Sequence, residues 1–125
     1  MIDKNTYLRD PATTLTASEN NTGVETGVDL VPQTWMLAIP ITPTGTTPTL
    51  LMELQESDDN SNWRTLGTFT QDGAAINTIN VQGLFYIAVQ SNAKYRRTKS
   101  TVTGTTPSFG NAFVCPVPAG RYKSW

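Results

Sequence analysis

Short runs of β-favouring residues alternate along the chain with clusters of Gly, Pro, Asn and Asp, and a new run starts about every 10–12 residues. No stretch places apolar residues at positions i, i+3, i+4 and i+7 over three turns, so the pattern predicts no helix. The clearest run covers residues 49–56, where Leu50, Met52 and Leu54 alternate with polar side chains and therefore share one face of a strand. The pattern predicts strands at residues 12–17, 24–31, 33–41, 49–56, 62–70, 75–81, 83–90, 95–103 and 109–117.

Many short strands without helices predict an all-β fold in which two antiparallel sheets pack face to face. The length of 125 residues suits one domain with a single core. We therefore expect a single-domain antiparallel β-sandwich over residues 1–125, with a jelly roll as the preferred topology and an immunoglobulin-like strand order as the alternative. Residues 1–11 and 118–125 are expected to be extended terminal arms, and residues 42–47 and 104–110 are expected to be turns. The pattern predicts no internal repeat.

Charge is unevenly distributed along the sequence, although the net charge is only −1. All ten carboxylates lie at or before Asp72 and, together with three basic residues, give residues 1–72 a charge of −7. The six basic residues of the remaining segment, 73–125, give it a charge of +6. This asymmetry produces an acidic and a basic side if the two halves separate in space, and it disappears if their strands lie side by side. The sequence leaves both arrangements open.

Residue types that commonly carry catalysis or bind zinc are scarce. The chain has no histidine and one cysteine, which rules out a Ser-His-Asp triad, a Cys-His pair and a zinc site built from imidazoles or thiolates. Cys115 lies in the apolar run 112–115 and is expected to be a small buried side chain. We therefore expect neither enzymatic activity nor a cofactor. The first residues lack the features of a secretory signal, so synthesis in the cytoplasm is expected.

One acidic turn contains the beginning of a calcium-binding pattern. Asp58, Asn60 and Asn62 have the i, i+2, i+4 spacing of oxygen ligands in an EF-hand loop. Trp63 stands where this loop needs its glycine, and Phe69 stands where it needs its closing glutamate. We therefore expect a polar hairpin turn and no metal site.

The three tryptophans are candidates for either packing or binding. Trp35 and Trp63 lie within predicted strands and are expected to pack against the sheets, with a sugar-stacking platform as the alternative. Trp125 is the last residue, so docking onto a neighbouring subunit and folding back onto its own chain both remain open.

Basic residues are densest at residues 94–99. Strand alternation places Tyr95, Arg97 and Lys99 on one face and Arg96 on the other. An acidic protein surface or nucleic acid would explain such a run, but the slightly acidic net charge makes nucleic acid the less expected partner. The residues expected to contact a partner are Arg9, Tyr95, Arg96, Arg97, Lys99, Arg121, Tyr122 and Trp125.

Four segments together resemble a known family. They are LQESDDNSNWRTL at residues 54–66, GLFYIAV at 83–89, KYRR at 94–97 and TVTGTTPSF at 101–109. In these segments the chain resembles the small jelly-roll cement, or decoration, proteins of tailed bacteriophage heads that are related to the Bordetella-phage cement protein. The resemblance implies a homotrimer that sits on the capsid surface and clamps neighbouring major capsid protein subunits. It implies no active site and therefore supplies no catalytic residues.

The expected function is accordingly that of a virion structural protein. It would be made in the cytoplasm of the bacterial host, would associate with itself and with the major capsid protein, and would bind neither membrane nor cofactor. Two alternatives remain open from the sequence. One is a carbohydrate- or receptor-binding module of a phage fibre, and the other is a head-tail or tail-tube component.

Overall fold

The computed structural model describes residues 7–27, 29–70 and 78–117, and these residues form strands but no helix. The eight strands are β1 (Glu19–Asn20), β2 (Val24–Glu25), β3 (Gln33–Ile39), β4 (Thr44–Ser57), β5 (Arg64–Thr68), β6 (Gly83–Val89), β7 (Tyr95–Ser108) and β8 (Phe113–Val117). In the parts of the chain that the structure describes, no helix is long and apolar enough to cross a membrane.

The strands form two antiparallel sheets packed against each other, which confirms the predicted β-sandwich. In the five-stranded sheet β7 and β4 are central, with β5 on one edge and β1 and β2 on the other, and the three-stranded sheet has the order β6-β3-β8. The pairs β2–β7, β3–β6 and β4–β5 are nested along the chain, and an antiparallel bridge from Arg9 to Val114 of β8 lies outside them. In a jelly roll the first segment of the chain pairs with the last, the second pairs with the next to last, and so on inward. This chain has that connectivity. The preferred topology is confirmed, and the immunoglobulin-like order is excluded.

Several strand predictions were wrong at particular places. Residues 12–17 contain no strand, and Leu15 contributes to the core from an irregular segment instead. Among the described residues of the predicted strand 24–31, only β2 forms. Residues 75–77 of the predicted strand 75–81 lie outside the described residues, and in its described part, 78–81, Ile79 makes one isolated bridge to Leu50. Strands close to the predicted positions are found at residues 33–41, 49–56, 62–70, 83–90, 95–103 and 109–117.

Alternate residues of the facing strands enclose the core between the two sheets. The contributing residues of β3 and β4, each at most 3% exposed, are Trp35, Leu37, Ile39, Leu50, Met52 and Leu54. The face predicted for β4 from its alternation is therefore the buried one. Cys115 is fully buried as predicted, and burial raises the pKa of its thiol.

Strands β4 and β7 are the two longest strands and pair with each other along most of their length. Because β4 comes from the acidic half of the sequence and β7 from the basic half, this pairing brings opposite charges together. Glu53 lies opposite Lys99, and Glu56 lies opposite Arg96. Among the described residues of β4 and β7, acidic and basic side chains therefore lie side by side, as expected if strands of the two halves interleave.

A short repeat that the strand pattern did not predict lies at the far end of this pair. Residues 44–49 have the sequence TGTTPT and residues 103–108 have TGTTPS, and the two segments pair antiparallel with register shifts between them. Both segments were expected to be turns because of their Gly and Pro content, and both belong to strands instead. The signals of a turn and of a bulged strand overlap, because both structures use residues with positive φ.

Each copy of the repeat fits its glycine against the backbone of the other copy. A Cβ on Gly45 would lie 2.6 Å from the carbonyl oxygen of Thr106, and a Cβ on Gly104 would lie 2.8 Å from that of Thr46. Both glycines have positive φ, 106° and 114°. Thr47 and Thr106 also have positive φ, and the same bulge thus occurs twice, once on each strand.

We predict that Gly45→Ala and Gly104→Ala each lower the free energy of unfolding by about 2–3 kcal/mol, because each Cβ meets backbone atoms that cannot move aside and the backbone angle is unfavourable for alanine. Gly67→Ala in β5 is the control, since its Cβ would make ordinary contact 3.6 Å from Ile87. Urea unfolding measures all three. A loss for Gly67→Ala as large as for the other two would contradict this explanation.

Candidate interaction surfaces

The three predicted contact residues on one face of β7 lie on the outer face of the five-stranded sheet. Tyr95, Arg97 and Lys99 are each partly buried there. The guanidinium of Arg97 lies 4.5 Å from the centre of the Trp63 ring, and its Nε donates a hydrogen bond to Oε1 of Gln55 at 2.8 Å. This face is polar and the guanidinium of Arg97 is already engaged within the chain, so the face resembles an ordinary solvated face more than an anchor for a partner.

Neither described tryptophan offers an open stacking surface. Trp35 is only 3% exposed and belongs to the core. Trp63 has Arg97 over its ring, and its edge lies so close to Gly23 that a Cβ there would be 2.7 Å from the ring. The expectation that both tryptophans pack against the sheets is confirmed. Trp125, together with Arg121 and Tyr122, lies outside the described residues.

Arg96 was expected on a partner surface, and this expectation was wrong. Alternation along β7 correctly places Arg96 and Arg97 on opposite faces of the sheet. The face of Arg96 is the buried one, and Arg96 is 0% exposed. Its Nη2 donates to Oδ2 of Asp29 at 3.1 Å, and its Nη1 donates to the carbonyl of Ala93 at 2.7 Å. A buried guanidinium is tolerated only when it is paired and hydrogen-bonded in this way. Arg96 therefore holds the chain around it together.

The ion pair of Arg96 with Asp29 belongs to a wider polar cluster at the end of the sandwich. The cluster includes Glu56, the residue of β4 that lies opposite Arg96. Glu56 accepts hydrogen bonds from Nε of Arg64 at 2.6 Å and from the hydroxyl of Ser91. Burial alone would raise the pKa of Glu56, but these hydrogen bonds and the charges of Arg64 and Arg96 outweigh it and lower its pKa. The cluster ties β4, β5 and β7 to the loop that follows β6.

Arg9 was also expected to contact a partner, and it too is buried in the chain. It is 4% exposed, its Nε donates to Oε1 of Glu19 at 2.9 Å, and its Nη1 donates to the carbonyl of Thr13. Together with its bridge to Val114, these bonds fasten the described end of the predicted N-terminal arm along β8. The role that remains for Arg9 is structural.

The acidic turn between β4 and β5 is organised around Asp59. Its Oδ1 accepts hydrogen bonds from the backbone N–H groups of Ser61 and Asn62, both at 2.9 Å, and its Oδ2 accepts one from the Asn62 side chain. These hydrogen bonds hold the pKa of Asp59 well below its usual range, and the bond from the backbone N–H of Asn62 has the largest effect. The polar turn is confirmed. The described residues contain no group of three acidic, cysteine or histidine side chains placed to hold a metal ion.

A different surface, which sequence reasoning missed, carries the exposed apolar side chains. The six large ones among the described residues are Leu30, Val31, Ile41, Val81, Leu84 and Tyr86. All six lie in the three-stranded sheet or within three residues of the ends of its strands. We refer to these six residues as the apolar border.

The outer face of the three-stranded sheet continues the apolar border. Its cross-strand rows, written in the order β6, β3, β8, are Leu84-Ala38-Phe113, Tyr86-Met36-Cys115 and Ala88-Thr34-Val117. None of these three strands contains a charged residue. A sandwich whose second sheet faced only water would alternate apolar and polar residues here. The sheet therefore has two apolar faces. One lines the core, and on the other Ala38 and Cys115 are buried, whereas the β6 residues Leu84, Tyr86 and Ala88 are exposed.

The sequence contained a signal for this surface. The run GLFYIAV of β6 is apolar at both odd and even positions, which is the pattern of a buried strand. Only half of it is buried: Phe85 is 8% exposed, whereas Leu84 and Tyr86 are more than half exposed. A strand that is apolar on both faces is typically covered on both, and here the part of the chain that the structure describes covers only one.

We predict that Arg96→Ala lowers the free energy of unfolding by about 3–5 kcal/mol, because it leaves Asp29 and several carbonyl groups without their partner. Arg97→Ala is the matched control on the opposite face of the same strand, and it should cost about 1 kcal/mol or less. Urea unfolding of the two variants measures both losses in the free energy of unfolding. Equal losses would show that Arg96 does not hold the cluster together.

A comparison with protein-family models and with curated proteins finds no match to this chain. The contrast between the polar five-stranded face and the apolar three-stranded face is thus the main guide to function.

Proposed function

We propose that this chain is a virion structural protein that decorates the head of a tailed bacteriophage and stabilises it by binding the major capsid protein at the capsid surface. The observation that carries the proposal is the concentration of every described exposed large apolar side chain on or beside one uncharged sheet. Such a face is suited to a permanent protein contact. The segments that resemble phage cement proteins supply the specific setting.

The size of the apolar surface supports a specific contact. Leu30 is 88% exposed and Val31 is 66% exposed, and the other members of the apolar border are 40–57% exposed. Together they expose roughly 500 Å² of apolar side chain, distributed along and beside the three-stranded sheet. A standard interface buries about 800 Å² per partner, so the border with the outer face between its members is of the right order.

The mechanism we propose is additive. Each copy covers its apolar face against shell subunits, and many copies on one shell multiply a modest contact into a large gain in particle stability. The partly exposed charges of Arg97 and Lys99 would steer the approach to an acidic shell surface, since such charges act mainly on the association rate. The resemblance implies a homotrimer, whereas the edge of β6 described below favours a two-fold dimer, and these two predictions are alternatives.

We predict that the double variant Leu30→Ser/Val31→Ser binds undecorated shells at least tenfold more weakly than the wild type, because it removes two anchors that are exposed in the free chain. The shells are assembled from the major capsid protein encoded with this chain, and binding is followed by co-sedimentation. The melting temperature should be unchanged, since neither side chain is buried. Unchanged shell binding by the double variant would contradict the assignment of the apolar border.

The control Arg97→Ala/Lys99→Ala tests the polar face in the same assay. It should slow binding at low salt and make no difference at high salt, where exposed charges are screened. Binding to free DNA serves as the contrasting measurement, because affinity for phosphates falls steeply with salt. Tight DNA binding by the wild type would favour a nucleic-acid partner. Binding to host glycans in the absence of shell binding would favour the fibre module instead.

A further inference from the structure

We infer that β6 is an assembly edge, which pairs with β6 of a second copy of this chain across a two-fold axis and joins the two three-stranded sheets into one of six strands. The inference deepens the proposed function, on which it rests for its biological setting, by naming the partner of this edge. It is carried by a comparison of the four sheet edges.

Three of the four edges have devices that prevent pairing with another chain. The β5 edge is short, bulged at its contact with β4, and begins with the charged Arg64. The opposite edge of the same sheet consists of two strands of two residues each, which carry Glu19 and Glu25. The β8 edge is bridged by Arg9 and interrupted by Pro116, which has no N–H group.

The β6 edge has none of these devices. It is seven residues long with no charge, no proline and no shift in its register with β3. Among the described residues its only backbone pairing is with β3, so the groups on its other side have no strand partner there. A long apolar edge of this kind is a template for adding a strand.

A second copy of β6 satisfies this edge better than a flat apolar face would. The exposed N–H and C=O groups need backbone partners, and a smooth surface of side chains would bury them unpaired. Another β6 offers the same row of groups in the opposite direction. Because β6 is uncharged, two copies meet without repulsion, and the exposed side chains of Leu84 and Tyr86 continue into one larger apolar face.

The register follows from the alternation of side chains. Opposite residues in an antiparallel pair point to the same face, so the buried Phe85 cannot lie opposite the exposed Tyr86. Complete overlap of Gly83–Val89 with its copy therefore places Tyr86 opposite Tyr86, and Leu84 opposite Ala88. Opposite Cα atoms 4.5–5.5 Å apart are about the separation that a disulfide spans.

The test is sedimentation equilibrium of the purified full chain at about 1–100 μM, a concentration range suited to a modest interface. We expect a monomer-dimer equilibrium that Tyr86→Lys weakens at least tenfold, since it places two like charges opposite each other. Tyr86→Phe should retain the dimer, and Thr101→Lys, exposed on the other sheet, is the control for an added charge. A monomer throughout, a trimer, or a dimer unaffected by Tyr86→Lys would overturn the inference.

Oxidative cross-linking checks the register even if the lysine variant fails to fold. Tyr86→Cys alone should form disulfide-linked dimers, and Leu84→Cys should cross-link to Ala88→Cys more efficiently than to itself. The native Cys115 is fully buried and provides the background level. Cross-linking of Leu84→Cys to itself as readily as to Ala88→Cys would overturn the register. No shell is present in either experiment, so these results are independent of whether the chain binds capsids.

Discussion

The pairing of β4 with β7 is the constraint on which the rest of this molecule depends. These two strands bring together the acidic and basic halves of the sequence, and their inward residues supply one wall of the core. The doubled TGTTP bulge lies at one end of the pair, and the buried Arg96–Asp29 ion pair lies at the other. Register errors between β4 and β7 would therefore break the charge pairing and expose the core at once, which explains why so much specific geometry is concentrated here.

The division of the surface follows from this arrangement. Because β4 and β7 use the charged residues for cross-strand pairs and a buried cluster, the five-stranded sheet presents a polar outer face with its charges balanced. The three-stranded sheet contains no charged residue and presents apolar side chains outward. The buried ion pair and its hydrogen bonds thus belong to one sheet, and the exposed large apolar side chains lie in or beside the other. In the proposed function this separation would allow the outer apolar face to change while the core stays intact.

The sequence was sufficient to predict the sandwich, because a buried face imposes a period of two, and residues 49–56 follow it closely. It could not place Arg96, whose burial depends on Asp29, a residue 67 positions away. Gly45 and Gly104 indicated turns because bulges and turns use the same residue types. The apolar run of β6 indicated burial on both faces, whereas Leu84 and Tyr86 are more than half exposed, because a local pattern does not show which face the rest of the chain covers. Most of the features that the sequence did not predict therefore depend on contacts between residues that lie far apart in the chain.

Amide hydrogen exchange of the free chain tests most directly the claim that β4 and β7 form the stable centre while β6 is an open edge. The account predicts the slowest exchange in Leu50–Glu56 and Arg96–Val102, which unfold only with the whole domain. The amides of β6 that point away from β3 should exchange rapidly in dilute solution and become protected as the protein concentration rises. Protection of those amides at every dilution, or exchange of β4 and β7 ahead of the other strands, would contradict it.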